Sequence, residues 1–298
     1  MRRRPAGLLG ILLFVLLTAC GGADEPAQTA PATTIRFASY DFSENQTLVE
    51  VYAEAVRRAG LPVSVQHGVG TREVVSPALQ QGVVDVVVDY LGTALSFARP
   101  SAPDLSREPA EMHTVLRRTL GGRGVVVLDA AQAEDQNGFA VTKAFADDSE
   151  ATRLSDLIPL APQLSFGGPP ECPNRPYCLE GLEKVYGLEF DKVLTMQSRG
   201  ATVEALVSGQ IDVGLLETTD ARLAVAPVTL LLDDWKLQPP ENVVPLVRRA
   251  AIDRWGDQLG TVLDEVSARL TTADLIELNR SVELEGLTPK EAAARWWG

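Results

Sequence analysis

The sequence predicts an α/β fold of two similar lobes, joined by two crossovers, with a cleft between them. Three observations predict it: an internal repeat, the same alternation of strands and helices around each copy, and further strand-like segments placed to link the halves. The repeat is Ala78-Leu79-Gln80-Gln81-Gly82-Val83-Val84-Asp85-Val86, echoed by Ala205-Leu206-Val207-Ser208-Gly209-Gln210-Ile211-Asp212-Val213. Each copy reads as the end of a helix, a glycine suited to stopping it, and an apolar strand. The run 83–88 is almost continuously apolar, as in a parallel strand covered on both faces.

The elements follow in order. Residues 34–39 read as a strand, and Ser43-Glu44-Asn45-Gln46 as a capping box. Leu48, Val51, Tyr52, Ala55 and Ala59 then share one helical face, which stops at Gly60. Residues 62–66 form a second strand, 71–81 a second helix in spite of Pro77, and 83–88 a third strand. In the second half, 163–167, 180–186, 192–196, 202–208 and 211–216 give the same strand–helix–strand–helix–strand order. Strands at 124–128, 138–142, 228–232 and 243–247 link the lobes. The tail from 251 to 298 reads as helical and returns to the first lobe. The expected organisation is a leader at 1–19, an anchor and tether at 20–33, a first lobe from 34–130 plus 228–298, and a second from 131–227.

The leader has its own logic. Arg2, Arg3 and Arg4 precede a short apolar run that ends in Leu17-Thr18-Ala19-Cys20-Gly21-Gly22. A basic start, an apolar core too short to span a bilayer and small residues at the cut describe a secretory signal. A cysteine just after those small residues resembles the lipobox of lipoprotein precursors, which makes Cys20 the lipidated first residue. The Ala-, Pro- and Thr-rich stretch behind it suits a flexible tether.

The chain carries 40 Asp and Glu against 27 Lys and Arg, for a net charge of −13, and loses three arginines with its leader. Such a charge argues against nucleic acid or an anionic membrane surface as partner. With Cys20 assigned to lipid, Cys172 and Cys178 remain. In an oxidising compartment this pair, in a Pro-containing loop, reads as a short disulfide. A metal site is the weaker alternative, since only His67 and His113 exist and both are remote in sequence.

Open α/β sheets bind ligands at the carboxyl ends of their strands. In the two copies those ends carry Asp89-Tyr90-Leu91-Gly92-Thr93 and Leu216-Glu217-Thr218-Thr219-Asp220. Tyr90 and Glu217 are therefore equivalent and are expected to face each other across the cleft. An exported, tethered, two-lobed protein of this kind suggests a solute receptor for an importer.

Several motifs recur in order: Ser39-Tyr40-Asp41-Phe42-Ser43-Glu44, Val74-Val75-Ser76-Pro77-Ala78-Leu79 to Asp85, Tyr90-Leu91-Gly92-Thr93, Gly167-Gly168-Pro169, Tyr186-Gly187-Leu188, Thr219-Asp220 and Asp233-Asp234. As a set, from about Thr34 to Trp297, they resemble the substrate-binding proteins of ABC importers for glycine betaine, choline, carnitine and related osmoprotectants. The resemblance implies a type II periplasmic-binding-protein-like fold, no cofactor, and a permease and ATPase as partners on the extracytoplasmic face of the membrane. It also implies a quaternary ammonium held in a box of tyrosines by cation–π attraction. Tyr90 matches a box tyrosine, Thr93 a hydroxyl donor to the ligand carboxylate, and Arg175 the arginine that reaches that carboxylate.

The departures alter the chemistry expected. A lysine beside the first strand is replaced by Tyr40, which becomes a possible new wall. Asparagine-threonine-tyrosine after the crossover becomes Asp135-Gln136-Asn137. Two further box tyrosines are replaced by Glu217, before Thr219, and by Glu241 after Pro239-Pro240. The result is a polar, acidic cleft, suited to a hydrogen-bonding cation or a polyhydroxylated solute. Two competing functions are weaker. A secreted hydrolase lacks a G-x-S-x-G elbow and an obvious histidine base, and the adjacent Asp233-Asp234 point to opposite faces if extended. A sensory lipoprotein without transport is not distinguished by sequence.

Overall fold

The computed structural model describes residues 33–99, 108–170 and 172–298. The leader, Cys20 and the tether through residue 32 lie outside these. From the amino end, β1 (Ile35–Tyr40), α1 (Ser43–Arg58), β2 (Val63–Gly70), α2 (Arg72–Gln81) and β3 (Val86–Tyr90) alternate. Two helices, α3 (Leu91–Ala98) and α4 (Pro109–Gly121), lead to β4 (Val125–Val127). The second half opens with β5 (Asn137–Thr142) and α5 (Lys143–Ser149). It continues through β6 (Ser165–Gly168), the short α6 (Leu179–Gly181), β7 (Lys192–Thr195), α7 (Arg199–Val207), β8 (Val213–Glu217) and β9 (Val228–Leu231). β10 (Val243–Arg248) brings the chain back, followed by α8 (Arg249–Trp255), α9 (Asp257–Arg269), α10 (Thr272–Glu283) and α11 (Pro289–Trp297).

These strands make two five-stranded sheets, in the orders β2-β1-β3-β10-β4 and β7-β6-β8-β5-β9. The plan is the same in both. Three parallel strands come from one copy of the repeat, and the fourth strand is antiparallel and follows a crossover: β10 beside β3, β5 beside β8. β9 pairs with β5, so it belongs to the second sheet. The expected return to the first lobe at 228 is therefore too early. The sheets change hands between β9 and β10, because an edge strand of apolar residues finds its partner in the strand already beside it.

Pleating sends alternate residues to opposite faces. On the first sheet Phe37, Val86 and Val88 join a core with α1 and the C-terminal helices, while Ala38 and Val87 join another with residues of α2, α3 and α4. Both faces are covered, which explains the unbroken valines of β3. The tail is fastened by its two last tryptophans. Trp297 donates from its indole to the Val51 carbonyl at 3.0 Å, and the Arg269 guanidinium lies 4.9 and 4.6 Å from the rings of Trp296 and Trp297.

The repeat has a mechanical role. Asp85 accepts from the Arg36 backbone N–H at 3.0 Å, and Asp212 from the Ser165 backbone N–H at 2.8 Å. Each aspartate thus locks the start of its own strand to the neighbouring parallel strand, in the same register. Gly82 and Gly209 adopt φ of 77° and 72°, left-handed values that end the preceding helix without a Cβ clash.

The capping box expected at Ser43–Gln46 does not form. The residue before the helix is Phe42, with no side-chain cap, and Ser43 is already helical. Tertiary bonds replace the box: Asn45 accepts from the Tyr40 N–H at 2.8 Å and donates to the Val88 carbonyl at 2.9 Å. This pins the start of α1 across the ends of β1 and β3, and so aims Glu44.

Candidate functional site

The carboxyl ends of β1, β3 and β8 and the two crossover segments converge on one group of polar side chains. Tyr90 ends β3, is 6% exposed, and donates its hydroxyl to Glu44 at 2.6 Å. Glu44 also accepts from Asn279 of α10 at 2.7 Å, and the same Asn279 amide donates to the Thr219 carbonyl at 2.9 Å. Thr219 donates its hydroxyl to Asp135 at 2.9 Å. One buried chain of hydrogen bonds therefore runs from Tyr90 on the first lobe to Asp135 on the crossover, and the tail helix contributes a link that only folding provides.

A second group involves Thr93 and Glu241, 148 residues apart. The Thr93 N–H and hydroxyl both donate to the Glu241 carboxylate, at 2.9 and 2.7 Å. Gly92 permits this approach: a methyl group there would sit 2.8 Å from the Pro240 carbonyl and 2.9 Å from Glu241 Oε1. Thr93 is thus committed to a protein carboxylate, which corrects the expectation that its hydroxyl is free for a ligand. Glu217, at the end of β8, is held by Arg199 from α7 through two charge-assisted bonds, one of 2.5 Å. Tyr90 and Glu217 occupy matching strand ends, but each is engaged on its own side.

Tyr40 does not form an open wall. It is 2% exposed, its hydroxyl donates to Asp89 at 2.6 Å, and the Arg72 guanidinium lies 4.7 Å from its ring centre. Arg72 in turn binds Asp89. The open ring is Phe42, 41% exposed, near-parallel to both Tyr40 and Tyr90 with centroids 6.1 Å away in each case. Phe42 stands in the Ser39–Glu44 motif, between the end of β1 and the start of α1, and that position is the signal that marks it.

On the second lobe, a cavity of about 350 Å³ is lined by Asn137, Arg175, Tyr177, Arg199 and neighbours from the 172–178 loop. Cys172 and Cys178 are joined, with Cα atoms 5.3 Å apart, which closes that loop. Asn137 donates to the Tyr177 carbonyl at 3.2 Å. Gln136 behaves differently from expectation: its amide donates to the Pro239 carbonyl at 2.7 Å, tying one crossover to the other instead of facing the cleft group. The sequence does not mark Arg72, Arg199 and Asn279 as site residues, and it reads Glu44 only as part of a motif and a capping box; their partners lie far away along the chain.

The electrostatics set this site apart. Burial raises the Glu44 carboxyl, against the pull of its donors Tyr90 and Asn279 and of the nearby Thr219 hydroxyl. Burial also raises Asp135 well above the usual carboxylate range, and the nearby charges of Glu44 and Glu217 add to it. Glu241 is raised to about 7, again by burial, although the Thr93 donors oppose the shift. Among the described residues, none of these three has a Lys or Arg within ion-pair distance, whereas Asp89 and Glu217 do. The arrangement can therefore stabilise an incoming positive charge.

Other titratable groups serve the scaffold. His67 bonds to Glu50 at 2.9 Å and His113 to the Leu128 carbonyl at 2.7 Å. Asp233 accepts from Tyr186, Leu237 and Gln238, and Asp234 from Ser155, so both shape the second crossover. Among the described residues no group of three His, Cys, Asp or Glu is placed to hold a metal.

Comparison with known proteins adds a family context. Residues 33–298 match the family model described as the substrate binding domain of ABC-type glycine betaine transport systems. The chain is 27% identical over 293 residues to the glycine-betaine-binding protein of Pseudomonas aeruginosa, covering 95% of this chain and 93% of that one. It is 24% identical over 295 residues to the carnitine transport binding protein OpuCC of Listeria monocytogenes, covering 94% and 91%. Its fold resembles the crystal structure of a glycine betaine/carnitine/choline ABC transporter protein, with a TM-score of 0.82 at 23% identity over 88% of this chain and 97% of that one. It also resembles apo YehZ from Escherichia coli, with a TM-score of 0.79 at 22% identity over 89% and 98%.

Proposed function

The chain belongs to the family of substrate-binding domains of ABC-type glycine betaine transport systems, and from that premise we propose that it is an extracytoplasmic lipoprotein that captures a small polar or cationic solute between its lobes and delivers it to a membrane permease. Proteins of this family bind a substrate for an importer; they are not enzymes, and the two-lobed type II periplasmic-binding-protein fold is theirs. The observation that carries the ligand reading is the meeting of Glu44, Asp135 and Glu241, without cationic partners, beside Tyr90 and Phe42. A cation entering there gains direct charge attraction and one open aromatic face.

Asn137, Arg175, Glu217 and Tyr177 line the opposing lobe in this reading. A hinge motion about the crossovers brings them toward the first-lobe group, and the ligand biases that motion by touching both lobes. The lipobox at Cys20 supports tethering beside the permease and its ATPase. The disulfide at Cys172–Cys178 agrees with an oxidising compartment. The test is a ligand screen by thermal shift and calorimetry covering betaines, choline, polyamines and polyols. A bound ligand raises the melting temperature with concentration. A complete screen with neither stabilisation nor heat rejects the receptor reading.

A further inference from the structure

Donors and acceptors in the cleft do not balance. The hydroxyls of Tyr90, Thr93 and Thr219 go to Glu44, Glu241 and Asp135 respectively, and the Arg199 guanidinium goes to Glu217. These donors thus go to the protein's own carboxylates. On the first lobe and the crossovers, what remains is acceptor capacity. Asp135 uses Oδ1 for Thr219, and its Oδ2 has no protein donor among the described residues. Asn279, itself only 4% exposed, directs its amide N–H to Glu44 and to the Thr219 carbonyl, and its buried Oδ1 accepts from nothing. An orphaned buried acceptor is costly and calls for a donor.

We propose that the cleft selects a cation bearing N–H groups, a primary or secondary ammonium, over a quaternary ammonium, with Asp135 and Glu241 as the carboxylates that receive it. This rests on the reading of the cleft as the solute site. A quaternary ammonium has no hydrogen to donate and depends on aromatic faces. Here Tyr40 is capped by Arg72 and Tyr90 is buried, so of these three stacked rings Phe42 presents the open face. An ammonium with N–H groups satisfies carboxylate oxygens by charge-assisted bonds, each stronger than a neutral one. Burial raises both carboxyls, Glu241 to about 7, and an arriving cation favours their ionised form.

The experiment is calorimetry on the purified protein with two methylation series: ethanolamine through its mono- and dimethyl forms to choline, and glycine through its mono- and dimethyl forms to glycine betaine. The expected result is affinity that falls with methylation, by about tenfold or more from the first member to the last of a series that binds. Affinity that is flat or rises toward the trimethylated member overturns the inference while leaving the receptor reading intact. Absence of binding by every member of both series overturns the inference and counts against an osmoprotectant-like site. Asp135→Asn and Glu241→Gln, checked for intact melting transitions, are expected to flatten the dependence on methylation. If both variants keep the wild-type selectivity, the assignment to these carboxylates is wrong.

Discussion

The two halves of this molecule share a frame and differ at its working ends. Asp85 and Asp212 perform the same task at the same register, and Gly82 and Gly209 end their helices with nearly the same left-handed φ. Yet the strands they introduce finish in Tyr90 and in Glu217. Tyr90 joins a buried, cation-free network, whereas Glu217 is neutralised by Arg199. Even the shared aspartates differ in degree: Asp85 also holds the Arg36 guanidinium at 2.8 Å, while Asp212 holds the Ser165 hydroxyl at 2.7 Å. Duplication of a backbone scaffold thus keeps the contacts at the strand starts while the side chains at the strand ends diverge.

The largest test of the shared frame is removal of the aspartates. Asp85→Ala is expected to cost about 3–4 kcal/mol in urea denaturation, since it strips an ion pair and a buried backbone N–H of their partner. Asp212→Ala, with no cation to strand, is expected to cost about 2 kcal/mol. Equal costs would mean that the Arg36 pair contributes nothing, and the halves are then more alike than their contacts indicate.

Glu241 and Glu217 break the symmetry in opposite directions. The Glu241 carboxyl titrates near 4.5 when unfolded and at about 7 when folded. The folded state therefore binds more protons between those values, and stability falls as pH rises from 4.5 to 7. Glu241→Gln removes that slope and is expected to stabilise the unliganded protein at pH 8 by up to roughly 3 kcal/mol, with no gain at pH 4. Melting curves across this range check the sign; a variant that is no more stable at pH 8 than at pH 4, relative to wild type, contradicts a neutral buried Glu241.

Tyr90→Phe leaves Glu44 without its hydroxyl donor and is expected to cost about 1–2 kcal/mol. The smallest effect belongs to Glu217→Gln. That pair is partly exposed, with side chains 28% and 35% accessible, so the loss is expected to be below about 1 kcal/mol and to shrink in salt. Were Glu217→Gln as stabilising as Glu241→Gln, Arg199 would not be neutralising its partner in solution.

Much of the fold was legible in the chain. Apolar periodicity placed each strand and helix of both copies within a few residues, and the repeat implied two lobes of one plan. The misses have particular causes. The strand at 228–231 was assigned to the wrong lobe because an apolar strand does not name its neighbour. The capping box at Ser43 failed because Asn45 anchors that helix to two strands instead. At the site, Tyr90, Asp135, Glu217 and Glu241 do lie at the strand ends and crossovers, but Tyr40 and Gln136 turned inward to protein partners.

The sequence by itself determined the acidic balance, the duplicated α/β plan and which segments end at the cleft, since these follow from composition and local periodicity. Only the tertiary structure decided which side chains share a proton, a donor or a charge there. Asn279 reaches Glu44 across 235 residues, and Glu241 reaches Thr93 across 148. Pairings at such separations depend on how whole helices and crossovers pack, and side-chain chemistry near neutrality depends on the burial that packing creates.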